Sequence, residues 1–295
     1  MEHRIILETL RWLEELGTQR RLVELHLTRF FTTVRLDDDS VGVCMSYYSL
    51  LSDDVLRILE RRLARHCSNP ISVKDVEGIK AIVAEHVADE RQRCYLVASL
   101  MAGVTSALSA PLIRSGGDEW FEVKPHLPEN WLNGAETALV VGFGGYLKHL
   151  VHQRDLKKVH VIDFSYESSG KSSMWQAQIA EWSAQHTTKS VIGSNGLTNT
   201  FHLREFDLIC ITGSTLCNGT LEYFLTNVRR DATVVLQGPS ASLHPKILFK
   251  AGVKWVSTIM TPSILGQLCR GRHDGEEMRP MLEDGLPYIH LFPRL

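Results

Sequence analysis

The spacing of apolar and polar positions changes several times along the chain. Over residues 5–27, apolar side chains recur three or four positions apart with charges between them, which predicts one or two amphipathic helices. Residues 31–44 instead alternate on either side of an acidic turn at 37–39, and this pattern predicts a β-hairpin. Three adjacent aspartates could bind a cation, but no further acid follows at metal-loop spacing. Helices are then predicted over 53–66 and 91–108.

In the second half, short apolar runs alternate with helical patterns, which is typical of a mainly parallel sheet flanked by helices. The predicted strands are 138–141, 159–162, 190–193, 206–211, 232–236 and 254–260. A last helix and an irregular tail should follow. The expected fold class is α/β, with a Rossmann-like, mainly parallel sheet and an N-terminal α+β domain. Since 111–128 is rich in Pro and Gly and resembles a linker, we expect an N-terminal lid domain over 1–115 and a Rossmann-like ligand-binding domain over 125–295.

Composition narrows the possible functions. The chain has 295 residues, of which 44% are hydrophobic, and its 32 basic and 34 acidic residues are interspersed. With a net charge of -2 it offers no basic face for nucleic acid and no polybasic patch for a membrane. The N-terminus lacks a secretory pattern and no apolar run looks long enough to span a bilayer, so a cytoplasmic location is expected. Six cysteines without a C-x-x-C pair favour reduced, buried thiols over disulfides or a thiolate zinc site.

A glycine turn follows the strand at 138–141 and is the main chemical signal. It reads Gly-Phe-Gly-Gly at 142–145, precedes a helical pattern, and is followed about twenty residues later by Asp163 at the end of the next strand. Glycines allow a tight turn that brings amides against a ligand, and the acid can accept the ribose hydroxyls. The large Leu147 interrupts the full G-x-G-x-x-G pattern, which favours S-adenosylmethionine over NAD. The alternative is a turn that only joins a strand to a helix.

Polar and glycine residues also collect where the other strands should end, and the carboxyl ends of parallel strands share one edge of a sheet. We therefore predict a cofactor site for S-adenosylmethionine at that edge. Its predicted residues are Gly142, Phe143, Gly144, Gly145, Asp163, Phe164, Ser165, Thr212, Gly213, Ser214 and Thr215.

Three further segments carry a family resemblance. Residues 106–111, 211–215 with 218–222, and 237–240 resemble the corresponding segments of the bacterial and archaeal family named for heavy-metal chelation. That resemblance implies a module like the enolase N-terminal domain, matched by the hairpin at 31–44, followed by a Rossmann-like domain. The glycine turn and Asp163 depart from the family pattern and favour adenosine binding. More distantly, the chain is similar to azetidine-2-carboxylate synthases of bacterial natural-product biosynthesis.

The distant likeness implies a lyase-like or transferase-like reaction in which the aminocarboxypropyl arm of S-adenosylmethionine cyclises and methylthioadenosine leaves. Cyclisation needs a neutral amine about 3–3.5 Å from the γ-carbon, and aromatic faces that hold the sulfonium. Our candidate catalytic residues are Tyr47, Tyr146 and Asn218. Trp12, Tyr48, Phe143 and Tyr166 are further candidate aromatic contacts, although core packing would equally explain each aromatic alone.

Two other functions stay open at this point. A methyltransferase would use the same cofactor but needs an acceptor pocket, usually with a base. A non-enzymatic metal-binding protein is suggested by thirteen histidines, with His149 and His152 one helical turn apart. Because no carboxylate or thiolate accompanies that pair, we predict no metal site. The expected partners are a small-molecule substrate and possibly a second copy of the chain in a homodimer, with no nucleic acid and no membrane.

Overall fold

The computed structural model describes residues 3–28, 31–46, 51–67, 70–132, 134–142, 146–163, 172–185, 190–195, 203–259 and 288–294. Its first part combines a small antiparallel sheet with four helices. The elements are α1 (Arg4–Glu15), β1 (Leu22–Leu27), β2 (Phe31–Leu36), β3 (Val41–Met45), α2 (Asp53–His66), α3 (Val76–His86) and α4 (Glu90–Arg114). The strands follow the order β1-β2-β3, so the hairpin predicted at 31–44 is confirmed, as are the helices predicted over 53–66 and 91–108.

The helix predicted to continue to residue 27 is wrong, because 22–27 forms β1 and pairs with β2. The register of this pairing shifts between Leu22 and Glu24, as at a β-bulge. The shift brings Leu22 and Leu25, three positions apart, into the core together. A spacing of three is also what an amphipathic helix shows, so the bulge explains the error.

Helix α4 lies at the centre of this part and packs closely on β3. A methyl group added to Gly42 would lie 2.0 Å from the carbonyl oxygen of Gly103, so the two backbones are in direct contact. By length and composition α4 could cross a membrane. However, 83% of its most apolar window is buried inside the protein, as expected for a core helix.

The second part is built on an eight-stranded sheet. Its elements are β4 (Phe121–Lys124), β5 (Thr137–Val141), α5 (Tyr146–His152), β6 (Lys158–Asp163), α6 (Ser172–Gln185), β7 (Ser190–Asn195), β8 (Leu208–Thr212), α7 (Thr215–Asn218), α8 (Leu221–Asn227), β9 (Thr233–Gln237), α9 (Lys246–Lys250), β10 (Trp255–Ile259) and β11 (Tyr288–Pro293). The strand order is β4-β11-β10-β9-β8-β5-β6-β7. All pairs from β7 to β10 are parallel, so the predicted α/β class with a mainly parallel sheet is confirmed.

The six parallel strands follow the Rossmann order. Numbered from β5 onward, their order across the sheet is 3-2-1-4-5-6. The direction of winding reverses between β5 and β8. In doubly wound sheets a ligand crevice forms at this switch point, outside the carboxyl ends of the strands.

Two antiparallel strands complete the sheet at its other edge. β11 pairs with both β10 and β4, so the tail expected to be irregular is a strand over 288–293. Likewise the segment expected to be a linker, 111–128, contains the end of α4 and the whole of β4. The domain limits themselves stay a prediction.

A continuous apolar core joins the two parts. One cluster of buried side chains includes Leu10 of α1, Leu100 of α4, Leu139 of β5 and Ile211 of β8. Helices α5 and α6 cover the opposite face of the parallel sheet with a second cluster. The N-terminal part therefore packs directly on one face of the Rossmann-like sheet.

Candidate functional site

The first turn of the Rossmann-like sheet begins at Gly142, immediately after β5. This residue has φ +88°, in the left-handed region that favours glycine, and its N–H donates to the carbonyl oxygen of Ile162 at 2.8 Å. In the β5–β6 pairing Val141 lies opposite Ile162. Gly142 and Asp163 therefore lie side by side at the carboxyl edge of the sheet.

On its other side, Gly142 lies against Thr212, the last residue of β8. A methyl group added to Gly142 would lie 2.6 Å from Thr212 Cγ2, which is closer than packed carbon atoms approach. Strands β5 and β8 are neighbours across the switch point, with Val141 opposite Ile211. A glycine is therefore required here both for backbone conformation and for the approach of Thr212.

Asp163 ends β6 and is half-buried, with Asn195 of β7 as its neighbour in the parallel register. The structure thus brings together three predicted site residues, namely Gly142, Asp163 and Thr212. Five others lie outside the described residues: Phe143, Gly144, Gly145, Phe164 and Ser165. Tyr47, Tyr48 and Tyr166 also lie outside the described residues. For Tyr146, at the start of α5, only the backbone is described.

The loop after β8 carries the remaining predicted site residues, and it is held by its own hydroxyl groups. Thr215 Oγ1 donates to the carbonyl oxygen of Thr212 at 2.7 Å, and Ser214 Oγ donates to Thr212 Oγ1 at 3.2 Å. Ser214 and Thr215 are buried. A methyl group on Gly213 would lie 2.6 Å from the backbone nitrogen of Ala241. These contacts fix the loop, which forms one wall of the switch-point edge where a ligand crevice is expected.

Asn218, predicted as catalytic, lies at the end of α7 in the same wall. Its Oδ1 accepts hydrogen bonds from Thr220 N at 3.1 Å and Thr220 Oγ1 at 2.6 Å. The side chain is buried. These bonds cap the turn that leads into α8, so its amide oxygen already has a structural role. A catalytic role for Asn218 stays a prediction.

The N-terminal part reaches the same edge of the sheet through the end of β3. Met45 N donates to Ser240 Oγ at 2.8 Å, and Ser240 lies in the short 3-10 helix Pro239–Ala241 after β9. Beside it, Cys44 Sγ lies 2.9 Å from Cys217 Sγ of α7. Sequence analysis missed both contacts, although the polar cluster after β9 pointed to this edge.

Trp12, a predicted aromatic contact, has a different environment. Its ring centroid lies 4.1 Å from that of His244, and Lys246 Nζ lies 4.5 Å above its ring. His244 has no exposed surface, and its Nε2 is 2.7 Å from Asp118 Oδ2. Burial lowers the pKa of His244, although Asp118 opposes the shift. The described ring contacts of Trp12 are therefore with Lys246 of α9 and with His244, two residues before that helix, and Trp12 packs against the core.

The described residues contain no group of three or more His, Cys, Asp and Glu side chains that could hold a metal ion. His152 is exposed at the end of α5, and the side chain of His149 lies outside the described residues. Among the described residues, the carboxyl edge carries the oxygen groups of Asp163, Thr212 and Ser214 and, beside them, the thiols of Cys44 and Cys217.

Comparisons with known proteins agree with this architecture. Residues 132–273 match the family model described as "DUF364: Putative heavy-metal chelation". A DUF364 protein of unknown function from Pyrococcus horikoshii is 15% identical, with a TM-score of 0.56 over 98% of this chain and 100% of that one. A second, from Desulfitobacterium hafniense, is 14% identical, with a TM-score of 0.61 over 99% and 100%. No curated protein matches the chain.

The family match supports the resemblance to the heavy-metal chelation family. The two solved structures, at 15% and 14% identity, show a shared fold and nothing about function. They lend no support to the more distant likeness to azetidine-2-carboxylate synthases. The residues at the carboxyl edge are therefore the only indication of which ligand could bind.

Proposed function

We propose that this chain, whose residues 132–273 match the DUF364 family, is an enzyme that binds S-adenosylmethionine at the carboxyl edge of β5, β6 and β8. The observation that carries the proposal is the pairing of Gly142, with its positive φ, and Asp163 on adjacent parallel strands at the switch point. That is where Rossmann folds bind nucleosides.

The roles of the two residues follow from their positions. The positive φ of Gly142 turns the chain at the end of β5, where backbone amides would approach a ligand. Asp163, one strand away and half-buried, presents a carboxylate that can accept two ribose hydroxyl hydrogen bonds. The separation of one strand spacing, about 4.8 Å, fits a ribose lying across the two strand ends.

The remainder of the cofactor would extend toward the wall formed by Thr212 and Ser214. Both hydroxyls lie at the carboxyl end of β8, and the Met45–Ser240 hydrogen bond brings the N-terminal part up to the same edge. A covering module would exclude water from the sulfonium end, and a drier site favours the neutral amine that cyclisation needs.

Cyclisation is the reaction we favour on the resemblance described above. The lone pair of the α-amine forms a bond to the γ-carbon, and the bond from that carbon to sulfur breaks. The electron pair stays on sulfur, which leaves as methylthioadenosine, and the amine loses its proton to solvent or to a base. The competing reaction, methyl transfer, forms S-adenosylhomocysteine and requires an acceptor.

Binding is tested by calorimetric titration of the full chain with S-adenosylmethionine and, separately, with NAD. We expect S-adenosylmethionine to bind and Asp163→Asn to weaken it by roughly 10–100-fold, the cost of losing hydrogen bonds to a charged acceptor. Asp155→Asn is the matched control, since Asp155 is an exposed acid before the opposite end of β6. Unchanged affinity in the Asp163 variant would refute the site.

The reaction is tested by incubating the protein with S-adenosylmethionine alone and analysing the products. Methylthioadenosine together with azetidine-2-carboxylate supports cyclisation. S-adenosylhomocysteine formed only with an added acceptor supports methyl transfer and refutes cyclisation. Stoichiometric nickel, zinc or iron in protein purified without a histidine tag, with no nucleoside binding, would favour the metal-binding alternative.

A further inference from the structure

Two buried thiols from distant parts of the chain touch beside the candidate site. Cys44 Sγ lies 2.9 Å from Cys217 Sγ, although the two residues are 173 positions apart in sequence. Neither residue has exposed surface. Cys44 belongs to β3 and Cys217 to α7, so the contact joins the N-terminal sheet to the loop that follows β8.

We propose that Cys44 and Cys217 form a modification site that closes to an intramolecular disulfide when the protein reacts with a peroxide. One thiolate attacks the peroxide O–O bond, becomes a sulfenic acid and releases hydroxide. The second thiol then attacks that sulfur, forms the S–S bond and releases water. Two thiols and one hydrogen peroxide thus give one disulfide and two water molecules.

The geometry favours closure over separate oxidation of each thiol. A disulfide bond is about 2.05 Å long, so the sulfur atoms need to approach by only about 0.9 Å. The neighbouring backbone is already fixed, because Met45 N is bonded to Ser240 Oγ. A sulfenic acid formed on either residue would therefore meet the second thiol before another peroxide molecule.

Burial controls when the reaction occurs. Contact with Cys44 and then burial raise the pKa of Cys217 well above that of an ordinary thiol. Oxidation at neutral pH should therefore be slow while β3 and α7 stay in contact. Opening of that contact admits peroxide and water, and reclosing brings the thiols together.

The bond would fix β3 to the wall of the crevice. Cys217 lies in α7, between Thr215 and Asn218, so a cross-link would limit the movement of that loop relative to the N-terminal sheet. The disulfide between Cys44 and Cys217 can form whichever ligand the protein binds, so it is tested without S-adenosylmethionine.

The test treats the reduced full chain with hydrogen peroxide, alkylates the remaining thiols and digests the protein without reductant. We expect the peptides containing Cys44 and Cys217 to be joined, with loss of two hydrogen atoms and recovery by dithiothreitol. The cross-link closes a long loop, so Tm should rise by about 5 °C.

Cys44→Ser and Cys217→Ser should abolish the joined peptide, whereas the matched control Cys94→Ser should keep it. If a variant fails to fold, the joined peptide of the natural chain still decides the question. Peroxide that oxidises Cys94 while leaving Cys44 and Cys217 unlinked, or converts them separately to sulfinic acids, would overturn the proposal.

Discussion

Gly142 and Thr212 are packed so closely that a single methyl group added to the glycine would lie 2.6 Å from Thr212 Cγ2. This contact joins the ends of β5 and β8, the two strands that flank the switch point. It makes the shape of the crevice depend on a residue with no side chain. Substitution at this position therefore tests the site directly.

Gly142→Ala should lower the free energy of unfolding by about 2–4 kcal/mol, because strain at φ +88° adds to a steric clash. Urea unfolding measures this loss. Gly134→Ala is the control, since Gly134 has φ +74° but no atom within 4 Å of an added methyl group. An equal loss in both variants would mean that Thr212 does not restrict the position.

Asn218→Ala should destabilise the protein by about 1 kcal/mol, because Thr220 N and Thr220 Oγ1 lose their acceptor. Asn218→Asp keeps an oxygen at the same place and should retain the free energy of unfolding. Its affinity for S-adenosylmethionine should stay within about threefold of that of the natural chain. Urea unfolding and calorimetry measure the two quantities. Stable Asn218→Asp protein that binds the cofactor but has lost turnover would instead favour the catalytic role.

Ser240→Ala removes the acceptor for Met45 N and should cost about 1 kcal/mol in urea unfolding. It should also speed peroxide cross-linking of Cys44 and Cys217, since the contact between β3 and the sheet edge opens more often. Ser183→Ala, an exposed serine of α6, is the matched control for both measurements. Slower cross-linking would show that the hydrogen bond positions the thiols and does not shield them.

Stability should fall as the pH drops from 6.5 toward 4, in part because of His160. Burial, together with the smaller effect of the nearby Lys158 charge, lowers the pKa of this residue to about 4. The unfolded chain then binds a proton at a pH where the folded chain does not, so the contribution is complete above pH 6.5 and declines as pH falls.

The expected loss from His160 is about 2–3 kcal/mol, measured by urea unfolding across this pH range. His160→Leu should remove that part of the pH dependence. The exposed His152→Gln should leave it unchanged. If His160→Leu instead loses stability in parallel with the natural chain, the pKa of His160 is the same in the folded and unfolded protein.

Strands β5, β6, β8, β9 and β10 were predictable because they are buried on both faces and consist of short apolar runs ended by turn residues. Their carboxyl ends therefore also marked the edge where Gly142, Asp163 and Thr212 meet. β1 was not predictable because a bulge gives it helical spacing. β4 has only four residues, and its pairing with β11 depends on distant contacts that no local pattern records.

At the carboxyl edge, the positions of Gly142, Asp163 and Thr212 followed from the sequence, whereas the contacts of Cys44 and Met45 from the N-terminal part did not; Tyr47 and Tyr48 lie outside the described residues. The Met45–Ser240 hydrogen bond spans 195 positions and the Cys44–Cys217 contact spans 173. Ser240 belongs to a polar cluster that the sequence does show, but no local pattern pairs it with Met45 or pairs Cys44 with Cys217. Only the packing of β3 against α7 and the 3-10 helix after β9 brings these groups together.

The pairing of β4 with β11 has a consequence for how the protein is made. β4 pairs by backbone hydrogen bonds with β11, which begins at residue 288, more than 160 positions later. On the ribosome, β4 emerges long before its partner, and until then it has only local hydrogen bonds such as that from Val123 N to the carbonyl oxygen of Gly116. The nascent chain can form the α/β layers first, but this border of the sheet closes only after residues 288–293 have been synthesised.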